Sequence, residues 1–368
     1  MSELRLNSLE IKNFRCFEHL VIEKLGRVNL IVGKNSVGKS SVLEGLQIYA
    51  SRGDAYNLAD ILKYRREMDY ADLTENNDRY RINLTHAISF LFHKRTHEIG
   101  DITPISIGPT IPQGQIFKLN IMWYGEIRTD DELRLVGPLT PDTYDQFSSL
   151  IPRITAQIGD QQPRSFPATY SRTVSLRSTS KEGEKIPSCY VPVNGLARDS
   201  ITPLWDRAII QQDKPLLKHI ISALIPDIVD INLLNNTIIA IDTINTPPLP
   251  IQTFGEGLMR AFGISLALVN SRQGFLLIDE FETGLHHTIQ TDVWRFIFSI
   301  AKSLNVQVFA TTHSWDCVEA FEKAAAEDQN EEAMLIRLQQ KRDGSGIEAE
   351  TYNERALEIV TRQGLEVR

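Results

Sequence analysis

The chain has 368 residues, of which 42% are hydrophobic and 23% are charged, so it can bury a large core and has the composition of an ordinary globular protein. Its formal net charge of −8 and its pI of about 5.6 argue against a protein that coats nucleic acid by itself. The sequence has no apolar run long enough for a membrane span, no CxxC pair and no signal-peptide pattern. These absences predict a cytoplasmic protein with no disulfide framework or zinc knuckle.

The first motif along the chain joins an apolar strand to a helix through a glycine-containing loop. The strand is predicted over residues 28–32, the loop reads GKNSVGKS over 33–40, and a helical pattern follows. The loop matches GxxxxGK[ST], and the order strand, loop, helix is the context in which this motif binds phosphate. The sequence therefore predicts a P-loop that holds a nucleotide.

Each residue type in this loop suits a task in phosphate binding. Gly33 and Gly38 let the backbone turn tightly, so that its N–H groups surround phosphate oxygens at the positive end of the helix. Lys39 supplies a positive charge for the β and γ phosphates, Ser40 offers a hydroxyl to Mg²⁺, and Ser41 caps the helix or binds the α-phosphate. The predicted nucleotide-binding residues of the loop are Gly33, Asn35, Ser36, Gly38, Lys39, Ser40 and Ser41.

The middle of the chain carries weaker signals. The patterns predict strands over 79–92 and 115–128, helices over 142–158 and 203–225, and a long polar loop over 159–195. No heptad repeat is sustained, which excludes a long coiled coil. Two short basic clusters, at 63–67 and 93–97, are typical of solvated surface, and contact with DNA stays open as the alternative.

A second glycine turn precedes a helix in the stretch FGEGLMRAFG. Gly255 and Gly257 stand at the predicted start of this helix, whose exposed N-terminus suits an anion. One phosphate site does not need two helix N-termini. Two chains packed head to tail would each lend this turn to the nucleotide that the other chain holds, which predicts a homodimer.

An unbroken apolar strand, predicted over 275–278, ends on two adjacent acids. Such a strand is covered on both faces, as in a parallel sheet, and ligands bind at the carboxyl ends of parallel strands. Because successive side chains point to opposite faces, the two carboxylates serve different tasks. We expect Asp279 to order Mg²⁺ from the strand that neighbours the P-loop strand, and Glu280 to deprotonate the attacking water. A strand end that turns to solvent is the alternative explanation of the acids taken alone.

A third apolar strand, predicted over 306–310, is followed by two threonines and His313. A histidine in this place is either structural or a switch whose neutral imidazole hydrogen-bonds the γ-phosphate. Its position, one helix and one strand beyond the paired acids, favours the switch.

In this order, the motifs resemble those of the ABC-type ATPase heads of the OLD, RecF and SMC group. LEIKNFRCFE at 9–18 is similar to the opening strand of that group, which implies that Asn13 and Arg15 approach the nucleotide. FGEGLMR resembles a divergent signature motif, FLLIDEFETGLHH a Walker B motif with its D-loop, and ATTHSWD the switch histidine. The resemblance implies an α/β P-loop NTPase fold: an ABC-type head with a mixed central sheet, an antiparallel β subdomain and an inserted, mostly helical lobe.

The chain departs from the pattern of the group at three places. Gly255 stands where a serine is usual, so the backbone of Gly257 must carry more of the binding to the partner's γ-phosphate. His287 replaces a proline that often follows the Leu-His of the D-loop. The Gln loop is not identified, and Gln113 and Gln115 are the candidates for it.

The resemblance also divides the chain. It covers about 1–65 and 225–368, which form a split ATPase head, with 66–224 as an inserted β extension and helical lobe. The tail is predicted as a helix, a strand over 334–339, a turn over 343–346, a second strand and a closing helix. It lacks the acidic motifs of the TOPRIM domain that follows the head in OLD nucleases.

Within the group, the chain is most similar to the compact OLD-like ATPases. This implies a homodimer that closes around ATP·Mg²⁺, with Glu280, His313 and Lys39 as the catalytic residues. It also implies a separately encoded TOPRIM or nuclease-type effector, which the dimer gates in DNA repair or anti-phage defence. One alternative is a scaffold or sensor that binds ATP with negligible turnover, and steady-state phosphate release separates the two. Another is the nucleotide-binding subunit of a membrane transporter, which the divergent signature and the Asn-Phe-Arg opening disfavour.

Overall fold

The computed structural model describes residues 4–68, 81–95, 103–111, 115–128, 133–167, 169–171, 185–242, 247–327 and 332–353. Its strands, in chain order, are β1 (Leu9–Phe14), β2 (Phe17–Ile22), β3 (Val28–Val32), β4 (Arg81–Asn83), β5 (Ile105–Gly108), β6 (Phe117–Arg128), β7 (Leu133–Val136), β8 (Leu150–Ile158), β9 (Arg164–Pro167), β10 (Thr169–Ser171), β11 (Ser188–Val191), β12 (Ile228–Leu234), β13 (Thr237–Asp242), β14 (Leu249–Pro250), β15 (Phe275–Ile278), β16 (Gln307–Thr311), β17 (Ala333–Gln340) and β18 (Ile347–Asn353). Its α-helices are α1 (Lys39–Ser51), α2 (Ala55–Tyr64), α3 (Leu84–Ser89), α4 (Arg198–Ile210), α5 (Lys214–Leu224), α6 (Glu256–Asn270), α7 (His287–Leu304) and α8 (Trp315–Glu327). Short 3₁₀ turns lie at His93–Arg95, Pro141–Gln146 and Ile251–Phe254.

A six-stranded sheet lies at the centre, in the order β11, β15, β16, β3, β17, β18. The strands from β11 to β17 run parallel, and β18 pairs antiparallel with β17. Every residue of β3, β15 and β16 is buried, as expected of strands that are covered on both faces. The structure therefore confirms the predicted fold class, an α/β P-loop head with a mixed central sheet.

Alternate residues of the central strands pack into two hydrophobic cores on opposite faces of the sheet. Leu276 and Val308 belong to the core that is shared with helices α4 to α8. Their neighbours Leu277 and Phe309 belong to the core that is shared with α1, α2 and the strands at the start of the chain. This alternation is the period of two that a strand imposes on its side chains.

The second core is closed by the predicted antiparallel subdomain. Its seven-stranded sheet has the order β2, β1, β5, β6, β8, β9, with β7 paired to β6. Strands β12, β13 and β14 form a separate small sheet next to α5 and the 3₁₀ turn at Ile251–Phe254. No helix in the described ranges is both long and apolar enough to cross a membrane.

Two predictions for the middle of the chain are wrong in detail. Residues 142–158, predicted as a helix, form a 3₁₀ turn and then β8, which pairs antiparallel with β6 along its whole length. The β-branched residues Ile151, Ile154 and Thr155 fit this pleated surface, and pairing with a distant strand outweighs the local pattern. Within 79–92, predicted as a strand, the described residues 81–92 form the short β4, then α3, and a single β-bridge from Phe92 to Phe14.

Other predictions for this region are confirmed or refined. Strand β6 confirms the strand over 115–128, and α4 with α5 confirms the helical pattern over 203–225. The stretch 159–195, predicted as a loop, contains β11, which joins the central sheet next to β15. This strand has only four residues between two prolines, too few to show a periodic pattern. Helices α3, α4 and α5 lie within residues 66–224, and the division of the chain there stays a prediction.

The tail follows the predicted order as far as the structure describes it. Strands β17 and β18 confirm the two predicted strands, and a turn joins them. The closing helix lies outside the described residues. Cys16, Cys189 and Cys317 are all free thiols.

The aromatic cluster behind Glu280 gives a prediction for stability. Trp294 of α7 is fully buried and stacks on Phe281 with 4.0 Å between ring centroids, while Phe321 meets it edge-on at 5.0 Å. We expect Trp294→Ala to lower the free energy of unfolding by about 3 to 5 kcal/mol, because it leaves a large cavity. Urea denaturation of the purified variant measures this change.

Ile210→Ala is the matched control, since Ile210 is 81% exposed and its loss should cost no more than about 0.5 kcal/mol. Equal unfolding midpoints for the two variants would contradict the assigned role of the aromatic cluster.

Candidate active site

The loop between β3 and α1 has the backbone conformation that the sequence predicted. Gly33 and Gly38 have φ of 146° and 94°, and Ser36 also has a positive φ of 67°. A Cβ at Gly38 would lie 2.5 Å from Cys16 Sγ, so that only glycine fits against the turn between β1 and β2. The loop therefore delivers the N-terminus of α1, with its unpaired N–H groups, to an open cavity.

This cavity has a volume of about 690 Å³ and lies at the carboxyl end of the central sheet. Its lining includes predicted residues from the P-loop, from the opening strand and from the paired acids. The residues that line it are Arg15, Cys16, Asn35, Ser36, Gly38, Lys39, Ser40, Ser41, Arg65, Glu67, Phe90, Phe92, Lys94, Arg95, Asp279, Glu280 and Thr311.

Lys39 is held at the loop by backbone carbonyl groups. Its Nζ donates hydrogen bonds to the carbonyl oxygens of Gly33, at 2.7 Å, and Lys34, at 3.2 Å. Burial lowers the pKa of the Lys39 ammonium, and nearby carboxylates, with Glu280 as the largest contributor, oppose that shift. The ammonium is therefore poised where phosphate oxygens can replace the carbonyl groups.

Asp279 is linked to three other side chains of the site. Its carboxylate is buried, and Oδ1 accepts hydrogen bonds from the hydroxyls of Ser40, at 3.0 Å, and Thr311, at 2.6 Å. Its other oxygen, Oδ2, accepts a hydrogen bond from the Tyr190 hydroxyl at 3.2 Å. Burial and the adjacent Asp279 raise the pKa of Tyr190, so its hydroxyl keeps the proton that it donates.

The position of Asp279 corrects one expectation. The strand that carries it, β15, does not neighbour the P-loop strand β3, because β16 lies between them. Asp279 nevertheless reaches Ser40, since it comes just after β15 at the same edge of the sheet. The strand between them supplies Thr311, which the sequence had not assigned to the site.

Ser40 and Asp279 form a donor set that fits Mg²⁺. Both offer hard oxygen ligands, the type that Mg²⁺ prefers, and their oxygens are 3.0 Å apart. Among the described residues, no group of three or more His, Cys, Asp or Glu side chains could hold a metal ion. A Mg²⁺ ion here would thus need phosphate and water oxygens to complete its shell, as is usual for this ion.

Glu280 occupies a strained backbone position at the cavity wall. Its φ is 46°, in the left-handed region, and its N–H donates a hydrogen bond to the Thr311 hydroxyl at 2.8 Å. Its Oε2 accepts a hydrogen bond from the Thr283 hydroxyl at 3.2 Å. Residues held in such conformations cluster at functional sites, where surrounding contacts maintain the strain.

Arg260 of α6 fixes the backbone that carries both acids. Its Nη2 donates hydrogen bonds to the carbonyl oxygens of Asp279, at 2.8 Å, and Glu280, at 3.0 Å, and its Nη1 donates to the carbonyl of Pro192. Sequence reasoning missed this role, although a single arginine in an otherwise apolar helix was a usable signal. It also missed Tyr190, for which the short β11 gave no signal.

Arg15 lines the cavity within a network of ion pairs, and its approach to a nucleotide stays a prediction. Its guanidinium contacts Glu44, at 3.0 Å, and Glu67, and Arg65 contacts the other oxygen of Glu44. Burial raises the pKa of Glu44, and the two arginines oppose that shift. By contrast, the Asn13 side chain donates a hydrogen bond to the carbonyl of Thr103 and does not line the cavity.

Three other predicted residues lie away from this cavity within a single chain. Gly255 and Gly257 stand at the start of α6, where Gly255 has φ of 103°, and neither lines the cavity. His313 is half-exposed, and its Nδ1 lies 3.0 Å from Glu282 Oε1. Their proposed contacts with phosphate stay predictions.

Of the two candidates for the Gln loop, Gln115 lies away from this site. Gln115 lines a separate cavity near the N-terminus, together with Arg5 and Asn7. Gln113 lies outside the described residues. Another segment does approach the two acids. It follows β11 at the edge of the central sheet, and the carbonyl of its Pro192 accepts a hydrogen bond from Arg260.

The sheet order, the P-loop and the paired acids together define an ABC-type P-loop ATPase head. Comparison with known proteins agrees with this class. The chain belongs to the AAA_21 family, an AAA domain family that matches residues 28–316 and whose description adds a provisional link to the AbiEii toxin of a Type IV TA system.

The chain is also similar to individual ATPases and DNA repair proteins. An ATP/GTP phosphatase of Helicobacter pylori is 22% identical over 359 residues, covering 88% of this chain and 89% of that protein. The DNA double-strand break repair Rad50 ATPase of Saccharolobus solfataricus is 28% identical over 120 residues, covering 32% of this chain and 13% of Rad50. The DNA replication and repair protein RecF of Clostridioides difficile is 44% identical over 43 residues, which are 12% of each chain. The alignments thus span only a small part of Rad50 and RecF.

Among solved structures, the Smc head domain from Pyrococcus furiosus, bound to the C-terminal domain of ScpA, aligns with 98% of this chain and 99% of its own. The identity is 13% and the TM-score is 0.46. The fold assignment accordingly rests on the sheet order and the site geometry described above.

The hydrogen bond from Tyr190 to Asp279 gives a prediction for metal dependence. We expect Tyr190→Phe to raise the Mg²⁺ concentration needed for half-maximal binding of ATP by about tenfold, because it loosens the carboxylate that would hold the metal. Titration of Mg²⁺ against a fluorescent ATP analogue measures this shift.

Tyr64→Phe is the matched control. Its ring meets that of Tyr190 edge-on at 6.1 Å, but the hydroxyl that bonds Asp279 belongs to Tyr190. A shift of equal size in both variants, or in neither, would show that Tyr190 does not position Asp279.

Proposed function

We propose that this chain binds ATP·Mg²⁺ and hydrolyses it to ADP and phosphate. The observation that carries the proposal is the 3.0 Å contact between the P-loop hydroxyl of Ser40 and the carboxylate of Asp279, with Glu280 at the wall of the same cavity. The Helicobacter pylori relative, which aligns over most of both chains, is named an ATP/GTP phosphatase and supports hydrolysis.

The described residues suit each step of such a reaction. The N–H groups of the loop and the Lys39 ammonium bind phosphate oxygens, and Ser40 and Asp279 would hold Mg²⁺. Bound there, Mg²⁺ neutralises charge on the β and γ phosphates. Glu280 then orients the attacking water and accepts its proton, so that the water oxygen bonds to the γ-phosphorus while the bond from that phosphorus to the β,γ-bridging oxygen breaks and ADP leaves.

We further propose that two chains complete two such sites by packing head to tail. Gly255 and Gly257 stand at the exposed N-terminus of the long helix α6, away from the cavity of their own chain. A partner chain could place this helix N-terminus against the γ-phosphate, where its partial positive charge stabilises the anion. His313 would report the presence of the same phosphate group.

The dimer would act as a nucleotide-controlled gate. Closure with ATP and opening after hydrolysis would control a separately encoded nuclease-type effector of the TOPRIM kind, in the cytoplasm, in DNA repair or anti-phage defence. The names of the Rad50 and RecF relatives support the link to DNA repair. A decisive gate requires that ATP favour the closed state by several kcal/mol.

Two substitutions test the catalytic assignment, because one should stop hydrolysis and the other should stop binding. Glu280→Gln should lower the rate of phosphate release by about a hundredfold or more while ATP still binds, because only the proton acceptor is lost. Lys39→Ala should abolish binding itself. Phosphate release and equilibrium binding of ATP measure the two effects.

Glu18→Gln on the exposed face of β2 is the matched control and should change neither quantity. Hydrolysis by Glu280→Gln at the wild-type rate would show that Glu280 is not the base. Tight ATP binding without phosphate release by the wild type would favour the alternative function, a scaffold or sensor assembled by ATP.

Shared sites predict complementation between two inactive variants. Lys39→Ala removes the P-loop contribution of one chain, and Gly257→Asp places a negative charge at the turn of the other. We expect each variant alone to be inactive, and their mixture to hydrolyse ATP, because the mixed dimer keeps one site with an intact P-loop and an intact turn.

The rate of phosphate release after mixing, with the subunits allowed to exchange, measures this recovery. A mixture that stays as inactive as its components would argue against a site shared between two chains.

A further inference from the structure

The cavity extends well beyond the groups that the phosphates need. Asp279, Glu280 and Thr311 form its metal end, and the P-loop leads from there to Gly38, against which Cys16 packs. Beyond Cys16 the wall is built by the turn between β1 and β2 and by residues 90–95 of the inserted segment. This second end has no part in the chemistry described so far.

The segment 90–95 is fixed to the turn by several hydrogen bonds. The N–H of Arg15 donates to the carbonyl of Leu91 at 2.8 Å, and its Nη1 donates to the carbonyl of Phe90 at 3.1 Å. In return, Nδ1 of His93 lies 3.0 Å from the carbonyl oxygen of Arg15. The second end of the cavity is therefore a constructed wall, held in register with the P-loop.

Two cationic residues, Lys94 and Arg95, line this end of the cavity. Lys94 and Arg95 both have positive φ, 64° and 55°, which non-glycine residues adopt only at a cost that surrounding contacts must offset. The guanidinium of Arg95 lies 5.1 Å from the centre of the Phe90 ring, a distance typical of a cation–π contact. Guanidinium groups and aromatic rings are the surfaces on which nucleobases stack.

Two buried polar atoms at this end have no hydrogen-bond partner among the described residues. They are Nη2 of Arg15, whose side chain is only 6% exposed, and Oε2 of Glu67. Both residues line the cavity. Because buried polar groups are nearly always satisfied, a donor and an acceptor left open in one cavity indicate a ligand with complementary groups.

We propose that this end of the cavity binds the nucleoside part of the nucleotide. The Arg95 and Phe90 pair stacks against the base, Glu67 accepts a hydrogen bond from a ribose hydroxyl, and Nη2 of Arg15 donates to an acceptor of the ligand. The proposal rests on the proposed function, since it places the base and ribose beyond phosphates held by the P-loop. It gives the inserted segment, rather than the ATPase core alone, a direct part in choosing the nucleotide.

The test compares ATP with inorganic tripolyphosphate, which carries the phosphates and lacks the nucleoside. Arg95→Ala should weaken the binding of Mg²⁺·ATP by about tenfold, because base stacking is lost, and should change tripolyphosphate binding by less than about twofold. Phe90→Leu, which keeps apolar bulk, should show the same selectivity. Isothermal titration calorimetry of the full chain measures each affinity.

Arg66→Ala is the matched control, because Arg66 is exposed, carries the same charge and does not line the cavity. Equal losses for ATP and tripolyphosphate in Arg95→Ala would mean that Arg95 serves the phosphates, and unchanged affinity for both would mean that it contacts no part of the nucleotide. Either result overturns the nucleoside site alone. A wild-type chain that binds neither ligand would overturn the proposed function as well. Lys39→Ala, which should lose both ligands, is the reference for such a chain.

Discussion

The buried carboxylate of Asp279 joins the separate parts of the ATPase site. Its two oxygens accept hydrogen bonds from Ser40 at the start of α1, from Thr311 at the end of β16 and from Tyr190 on β11. A carboxylate that is nearly removed from water is costly unless such partners satisfy it. The same contacts therefore stabilise the charge and hold the carboxyl edge of three strands in one arrangement.

Hydrogen bonds fix the backbone around this carboxylate as well as its side chain. Arg260 binds the carbonyl groups of both acids, and Thr311 holds the N–H of Glu280 in its left-handed conformation. Since Arg260 belongs to the helix that begins at the Gly255 turn, the paired acids and the predicted dimer surface share one rigid element. A displacement of α6 would thus reach the proposed base directly, through two hydrogen bonds.

The sequence was most informative where function depends on neighbours in the chain. The P-loop was readable because its glycines, lysine and serine act within one short turn, and the paired acids because a fully apolar strand precedes them. Tyr190 and Thr311 were not assigned because their roles depend on strands that meet only in the folded sheet. Residues 150–158 form a strand through pairing with β6, a contact that no local pattern contains. For the same reason, nothing in the sequence showed that the segment 90–95 would pack beside the P-loop.

We propose above all that Ser40 and Asp279 hold a divalent ion together with the nucleotide. Electron paramagnetic resonance of Mn²⁺, used in place of Mg²⁺, measures this most directly in the wild type and in Asp279→Asn. We expect the wild type to retain Mn²⁺ only when ATP is present, and Asp279→Asn to lose most of this retention. Tight Mn²⁺ binding without ATP, or equal retention by Asp279→Asn, would contradict it.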